Sequence, residues 1–164
     1  MAEKYYTLGS FKPETSIGFL IRRCGVLLSQ VADRRFGSLP ISFTQWTILV
    51  WLAERAHASP TELSAYLGHD MGGLTRVVDE LERGTLVRRE RSLHDRRAVQ
   101  IAITPEGRHL AQAGKRVVLD LLNSVLEPYS KTDADALISL LRRFLTQIQE
   151  HRQRCNPITA PQEH

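Results

Sequence analysis

Apolar positions recur at three- and four-residue spacing over several stretches of this chain and alternate strictly over one short stretch. Ile17, Leu20, Ile21, Cys24, Leu27, Leu28 and Val31 form the first stripe and predict a helix over residues 14–36, capped by Thr15 or Ser16 and ended by Gly37 and Pro40. Trp46, Leu49, Val50, Leu52 and Ala53 predict a second helix over 44–56. After a link at 57–59, long enough for one turn of strand, a short helix is expected over 59–67. Ser59 is its N-cap, Pro60 stands at the first helical position and Glu62 three residues after the cap. Asp70 caps a fourth helix over 71–83, whose inward stripe is Leu74, Val77, Val78 and Leu81. Residues 86–91 and 98–103 read as strands, the second setting Val99, Ile101 and Ile103 against Ala98, Gln100 and Ala102. Thr104 and Pro105 open a long fifth helix to about residue 127, stopped by Pro128. Thr132 caps a sixth, to about residue 153, carrying Leu137, Ile138, Leu141, Phe144, Leu145 and Ile148.

Two short helices joined by a tight turn make a helix-turn-helix, and a hairpin directly behind it makes a wing. Charge reinforces this reading. Between residues 83 and 97 lie Arg83, Arg88, Arg89, Arg91, Arg96 and Arg97 against Glu90 and Asp95, an excess of +4 that equals the formal charge of the whole chain. Basic charge concentrated on one hairpin beside a helix-turn-helix points to a phosphate backbone. The fold class expected is mainly α with a small β-hairpin: a winged helix-turn-helix core plus long helices for dimerisation.

The stretch LTRVVDELERGTLVRRERSLHDRRAVQIAITPEGRHL resembles the DNA-reading core of the MarR family of winged-helix transcription regulators. The most specific part is DRRAVQIAITPEG, where the family shows an Asp-x-Arg tip, an alternating strand, then Thr, two further residues and Gly; the likeness extends, less specifically, over residues 14–150. One departure is visible. The family has Gly just before the Leu-Val that begins the first wing strand, where this chain has Thr85, with Gly84 one place earlier. Gly84 is therefore expected to supply the left-handed residue that ends the fourth helix.

Composition bounds the rest. With 164 residues, 42% of them hydrophobic, the chain is long enough for one domain with an appended dimerisation region. No apolar run approaches a membrane span, the amino terminus shows no export signal, and two cysteines far apart suggest neither a metal site nor a disulfide, so a reducing cytoplasm is expected. No metalloprotease, P-loop, dinucleotide-binding or nucleophile–His–acid pattern is discernible, which argues against an enzyme and calls for no cofactor. The expected layout is an N-terminal arm over 1–13, a helical dimerisation region over 14–43 and 105–153, a winged core over 44–104 and a flexible tail over 154–164. The first, fifth and sixth helices carry more apolar surface than the winged core can cover, which favours a two-fold homodimer.

For DNA, Arg76 on the outer face of the fourth helix suits a bidentate contact to a guanine edge, with Thr75 and Arg83 beside it. Gly72 and Gly73 would let the start of that helix approach a phosphate. In the wing, Asp95 can hold Arg97 extended for the minor groove, while Arg96 reaches a phosphate; the family resemblance implies the same of the first two. The resemblance also implies a small aromatic or carboxylate effector bound between the dimerisation helices and the core, for which Arg23, Trp46 and His57 are the candidates. Gly18 and Gly25, one heptad apart, would let another helix or a ligand come close. Two other readings compete with a repressor released by such an effector: a redox-sensing regulator switched at Cys24, and a winged-helix module for protein interaction or dimerisation that binds no DNA. Cys24 otherwise reads as a small core residue.

Overall fold

In a computed structural model, residues 4–68, 70–91 and 99–155 are described. Six α-helices and a three-stranded sheet lie among them. They are α1 (Ile17–Phe36), α2 (Phe43–Arg55), β1 (His57–Ala58), α3 (Pro60–Leu67), α4 (Met71–Arg83), β2 (Val87–Arg91), β3 (Val99–Ile103), α5 (Pro105–Leu126) and α6 (Lys131–Cys155). A single 3-10 turn, Pro13–Thr15, precedes α1. The wing tip at 92–98, with Asp95, Arg96 and Arg97, lies outside the described residues, as do 1–3, 69 and 156–164, the last covering most of the predicted tail. The chain divides into two compact units, Met1–Leu121 and Leu122–His164.

In the first unit, the helices start where side chains satisfy free backbone N–H groups. Ser16 accepts from Phe19 N, Ser42 from Gln45 N, Ser59 from Glu62 N and Asp70 from Gly73 N. Ser42–Gln45 and Ser59–Glu62 are complete capping boxes. Because the Glu62 carboxylate accepts from the Ser59 backbone N–H and hydroxyl, its pKa falls below the ordinary carboxylate value.

The sheet is antiparallel in the order β1-β3-β2, with Ala58 opposite Ile101 and Arg89 opposite Ile101 on the other side. Its central strand is more deeply buried than alternation implies. Ala102 is buried along with Ile101 and Ile103, while Val99, near the tip, is 44% exposed. The core gathers Phe36, Ile48, Leu49 and Leu52 with Leu63, Leu74, Val78 and Leu81, and closes against Val87, Ile101 and Ala111.

The end of α4 differs from the sequence expectation. Gly84 stays right-handed at φ −77° and ψ 4°, and Thr85 takes the left-handed conformation at φ 59°. Leu86 N bonds Leu81 O at 2.9 Å and Thr85 N bonds Glu82 O at 2.9 Å, which is a Schellman motif with threonine at its left-handed position. The β-branched residue is held there by its surroundings: the Thr104 hydroxyl lies 2.8 Å from Thr85 O and 3.0 Å from Leu86 O, and accepts from Gly107 N at 3.0 Å as it caps α5.

Two glycines allow α5 to lie close. A Cβ on Gly107 would stand 2.1 Å from Leu86 O, and one on Gly114 would stand 2.2 Å from Trp46 Cδ1. Trp46 also packs against Phe36 and Phe43, and its indole N–H donates to Ala111 O at 3.0 Å. Gly18 and Gly25, by contrast, face open space within this chain.

In the second unit, α6 is capped by Ser130, not Thr132. Ser130 Oγ accepts from Asp133 N at 3.1 Å and lies 2.6 Å from Asp133 Oδ2. The helix continues to Cys155, two residues past its predicted end, and none of its residues is buried. Leu137, Ile138, Leu141, Leu145 and Ile148 are each at least 43% exposed. In the first unit, Ile17, Phe19, Leu20, Val26, Leu27 and Val31 of α1 are exposed to a similar degree. No helix among the described residues is long and apolar enough to cross a membrane.

Candidate nucleic-acid interface

Helices α3 and α4 are separated by Gly68, which ends α3 in the left-handed conformation at φ 66°, and by His69 and Asp70. The turn sets α4 with Leu74, Val78 and Leu81 inward, so Arg76, Asp79, Glu80 and Arg83 share the opposite side of the helix. Arg76 is exposed, and the acids at helical spacing from it are engaged elsewhere. Glu80 accepts from Gln45 Nε2 at 2.9 Å, while Asp79 is bound by Arg89. Arg76 thus has neither a hydrogen bond nor an ion pair to a described residue. Arg83 is likewise exposed.

Two neighbouring candidates have their polar groups committed. The Thr75 hydroxyl donates to Met71 O at 2.7 Å, inside its own helix. The Gly73 N–H donates to Asp70 Oδ1 at 2.8 Å, so the first turn of α4 carries a carboxylate where a phosphate was expected. Gly72 is exposed beside it, a Cβ there coming within 3.3 Å of Asp70 Oδ1.

Contacts that distance in sequence conceals also change the charge of the wing. Arg89 gives one end of its guanidinium to Asp79 and the other to Glu82, and Glu82 Oε1 accepts the Arg89 backbone N–H at 3.0 Å. The Asp79 hydrogen bond, followed by that of Glu82, raises the Arg89 pKa against the opposing effect of partial burial. Arg88 pairs with Glu90 across the same strand face. Of the four described arginines between 83 and 91, Arg83 and Arg91 alone lack an ion pair to a described residue. The acids of α4 thus join Glu90 in balancing the arginines of β2.

The three effector candidates are not brought together. Arg23, on α1, lines a shallow depression with Phe19, Arg22 and Val26. Trp46 stands in the first turn of α2 with its N–H satisfied, whereas His57 lies on β1, past the far end of that helix. At 1.5 Å per residue, α2 alone holds them roughly 16 Å apart. Cys24, read as a core residue, is exposed within the chain, as is Cys155, whose Sγ lies 3.5 Å from His151 Nε2 on α6.

Residues 39–98 match the sequence profile of the MarR family. The transcriptional repressor MprA of Escherichia coli is 27% identical over 139 residues, covering 82% of this chain and 79% of the repressor. The transcriptional regulator PecS of Dickeya dadantii is 29% identical over 135 residues, covering 80% of this chain and 81% of PecS. Among solved structures, a MarR-family transcriptional regulator from a Rhodococcus species superposes with a TM-score of 0.75 at 26% identity, covering 82% of this chain and 96% of that one. A MarR variant from Escherichia coli complexed with operator DNA superposes with a TM-score of 0.71 at 25% identity, covering 79% and 93%.

Proposed function

We propose that this chain, whose residues 39–98 match the MarR family and whose relatives include transcriptional regulators, acts as a homodimeric repressor whose α4 helices enter successive major grooves of a pseudo-palindromic operator. The observation that carries this reading is Arg76: exposed on the outer face of α4, with its neighbouring acids bound to Gln45 and Arg89, it has no partner among the described residues and suits a guanine edge. Arg83 and Arg91 supply phosphate contacts, and Gly72 gives the backbone room to approach. Thr75 would join them only by giving up its bond to Met71. Arg96 and Arg97, with Asp95 as the group that orients the second, complete the contact at the wing.

Dimerisation is supported by the exposed stripes of α1 and α6, whose Leu, Ile, Phe and Val side chains have too little cover within one chain. Two-fold symmetry then sets the half-sites about 34 Å apart, one turn of DNA. For release, an anionic aromatic effector suits the Arg22–Arg23 pair beside the Phe19 ring. In this reading Trp46 acts by holding α1, α2 and α5 in one arrangement, and His57 lies near where that arrangement meets the sheet. The effector must prefer the non-binding arrangement, since equal affinity for both shifts nothing.

The test begins with a duplex selected by the protein from a random-sequence pool. Arg76→Ala should weaken its binding by roughly 1–3 kcal/mol while leaving the oligomer unchanged. Aromatic acids should release the DNA, and Arg23→Ala should blunt that release without abolishing binding. If peroxide alone alters affinity, and Cys24→Ser abolishes that response, the exposed Cys24 carries the switch in place of the effector. Retention of full affinity by Arg76→Ala would remove the assignment of α4 as the reading helix.

A further inference from the structure

Asp79 and Glu82 present an electrostatic difficulty for a helix that enters a groove lined with phosphates. Both carboxylates lie on α4, one turn apart, beside the Arg76–Arg83 side of the helix. Each would repel the DNA backbone. Both are instead turned onto one side chain, Arg89 of β2, whose guanidinium fork spans them; Glu82 additionally holds the Arg89 backbone N–H. Three bonds therefore join the first strand of the wing to the C-terminal half of α4. The Arg89 side chain is 34% exposed, so ion pairing there adds little to stability. Its effect is geometric: a bidentate fork fixes both distance and angle between strand and helix, which a single point charge does not.

Resting on the proposal that α4 and the wing read DNA together, we infer that Arg89 is a positioning residue for DNA binding: clamped between Asp79 and Glu82, it locks the wing's first strand to the reading helix and makes no contact with DNA itself. The second wing strand pairs along β2 through Arg89↔Ile101 and Arg91↔Val99, so the clamp sets the base from which the wing tip springs. A wing displaced at its base would miss the minor groove even when α4 is correctly seated. The adjoining link, Gln45 Nε2 to Glu80 Oε2, ties the same half of α4 to α2 and leaves Arg89 as the tie to the wing.

The experiment uses the full-length protein and a labelled duplex that it has selected from a random pool, with affinity measured across a salt series. Arg89→Ala should lose about tenfold in affinity, the size of one missing groove contact, with the slope of log K against log salt unchanged. A phosphate-contacting arginine would instead lower that slope by about one. Arg89→Lys, which can reach one carboxylate but cannot span both, should fall between Ala and wild type. The sharpest test is one of sign. Asp79→Ala combined with Glu82→Ala removes two negative charges from the flank of the reading helix, so electrostatics alone predicts tighter binding, whereas loss of the clamp predicts weaker binding. Tighter binding by that pair, or a reduced slope in Arg89→Ala, overturns the inference. Thermal unfolding and sizing accompany each variant; should Arg89→Ala fail to fold, the lysine variant and the paired alanine variant decide. Arg76→Ala reports separately on the underlying reading. If it loses affinity while the Arg89 variants bind like wild type, only the clamp is wrong. If the wild-type protein selects no duplex at all, both fall.

Discussion

Trp46 lies directly against Gly114: a Cβ on that glycine would stand 2.2 Å from the indole Cδ1 and 2.5 Å from Nε1. The indole cannot retreat cheaply, because its N–H is bonded to Ala111 O and its rings meet Phe36 and Phe43. Gly114→Ala should therefore destabilise the protein by about 2–3 kcal/mol, as overpacking of a filled site does. Gly107→Ala should cost at least as much, since there the obstacle is the backbone oxygen of Leu86. Chemical denaturation of the two variants measures both values. A loss below the fluctuation of ordinary surface substitutions would show that α5 can shift outward.

At the end of α4, neighbouring positions have opposite needs: glycine should be favoured at 85 and disfavoured at 84. Thr85→Gly relieves a β-branched residue held at φ 59° and should stabilise by about 0.5–1 kcal/mol, after allowance for glycine's greater freedom when unfolded. Gly84→Ala should be neutral or stabilising by about 0.5 kcal/mol. Its φ of −77° suits any residue, and a Cβ would meet Glu80 O at an ordinary 3.4 Å. Melting curves of the two variants check this; destabilisation by Gly84→Ala would contradict the Schellman geometry.

The capping box of α3 should give stability a dependence on acid. Glu62 has its pKa depressed in the folded chain, chiefly by the Ser59 backbone N–H and next by the Ser59 hydroxyl. Its contribution is accordingly present above the ordinary value of 4.5 and is lost as pH falls through the depressed one. Glu62→Ala should melt below wild type at neutral pH and together with it in strong acid. A gap that persists in acid would mean that the side chain contributes by packing and not by charge.

Charges placed on the open face of α6 should separate assembly from folding. Leu141 and Leu145 are 45% and 56% exposed in the single chain, so Leu141→Glu with Leu145→Glu removes little intrachain packing. If α6 forms the proposed dimer interface, sedimentation should show the variant shifted toward monomer, with DNA affinity falling in parallel because a monomer would hold one half-site alone. A variant that remains dimeric and binds normally would remove α6 from the interface.

Much of the fold was legible because local signals agreed with the final packing. Ser59, Pro60 and Glu62 announced α3, Asp70 announced α4, and the turns between them left little choice of path. Cap residues were less certain where candidates crowded together: Ser130 and Thr132 both precede an apolar stripe, and the reciprocal contact of Ser130 with Asp133 decides for the former. The left-handed residue was misplaced because glycine was assumed to claim it, whereas the bonds of Leu86 and Thr85 to Leu81 and Glu82 fix the turn one residue later. The candidate interface was legible as helix, turn and strands, and Arg76 could be read from helical spacing alone. The fate of Arg89 could not, since Asp79 and Glu82 reach it only after β2 has folded back along α4. Arg23, Trp46 and His57 share one predicted junction, yet the helix predicted over 44–56 already sets the last two roughly 16 Å apart at 1.5 Å per residue.

Both tryptophans of the chain, Trp46 and Trp51, stand on α2. One donates its N–H to Ala111 where α5 crosses; the other lies beneath the Arg55 guanidinium, 4.2 Å from its ring centroid, and beside Tyr66 of α3. The indole chromophores therefore face different neighbours at separate levels of a single rod. Intrinsic fluorescence becomes a two-point gauge: single-tryptophan variants would report, without any added label, whether a stimulus is felt at the junction with α5, at the side of the helix-turn-helix, or at both.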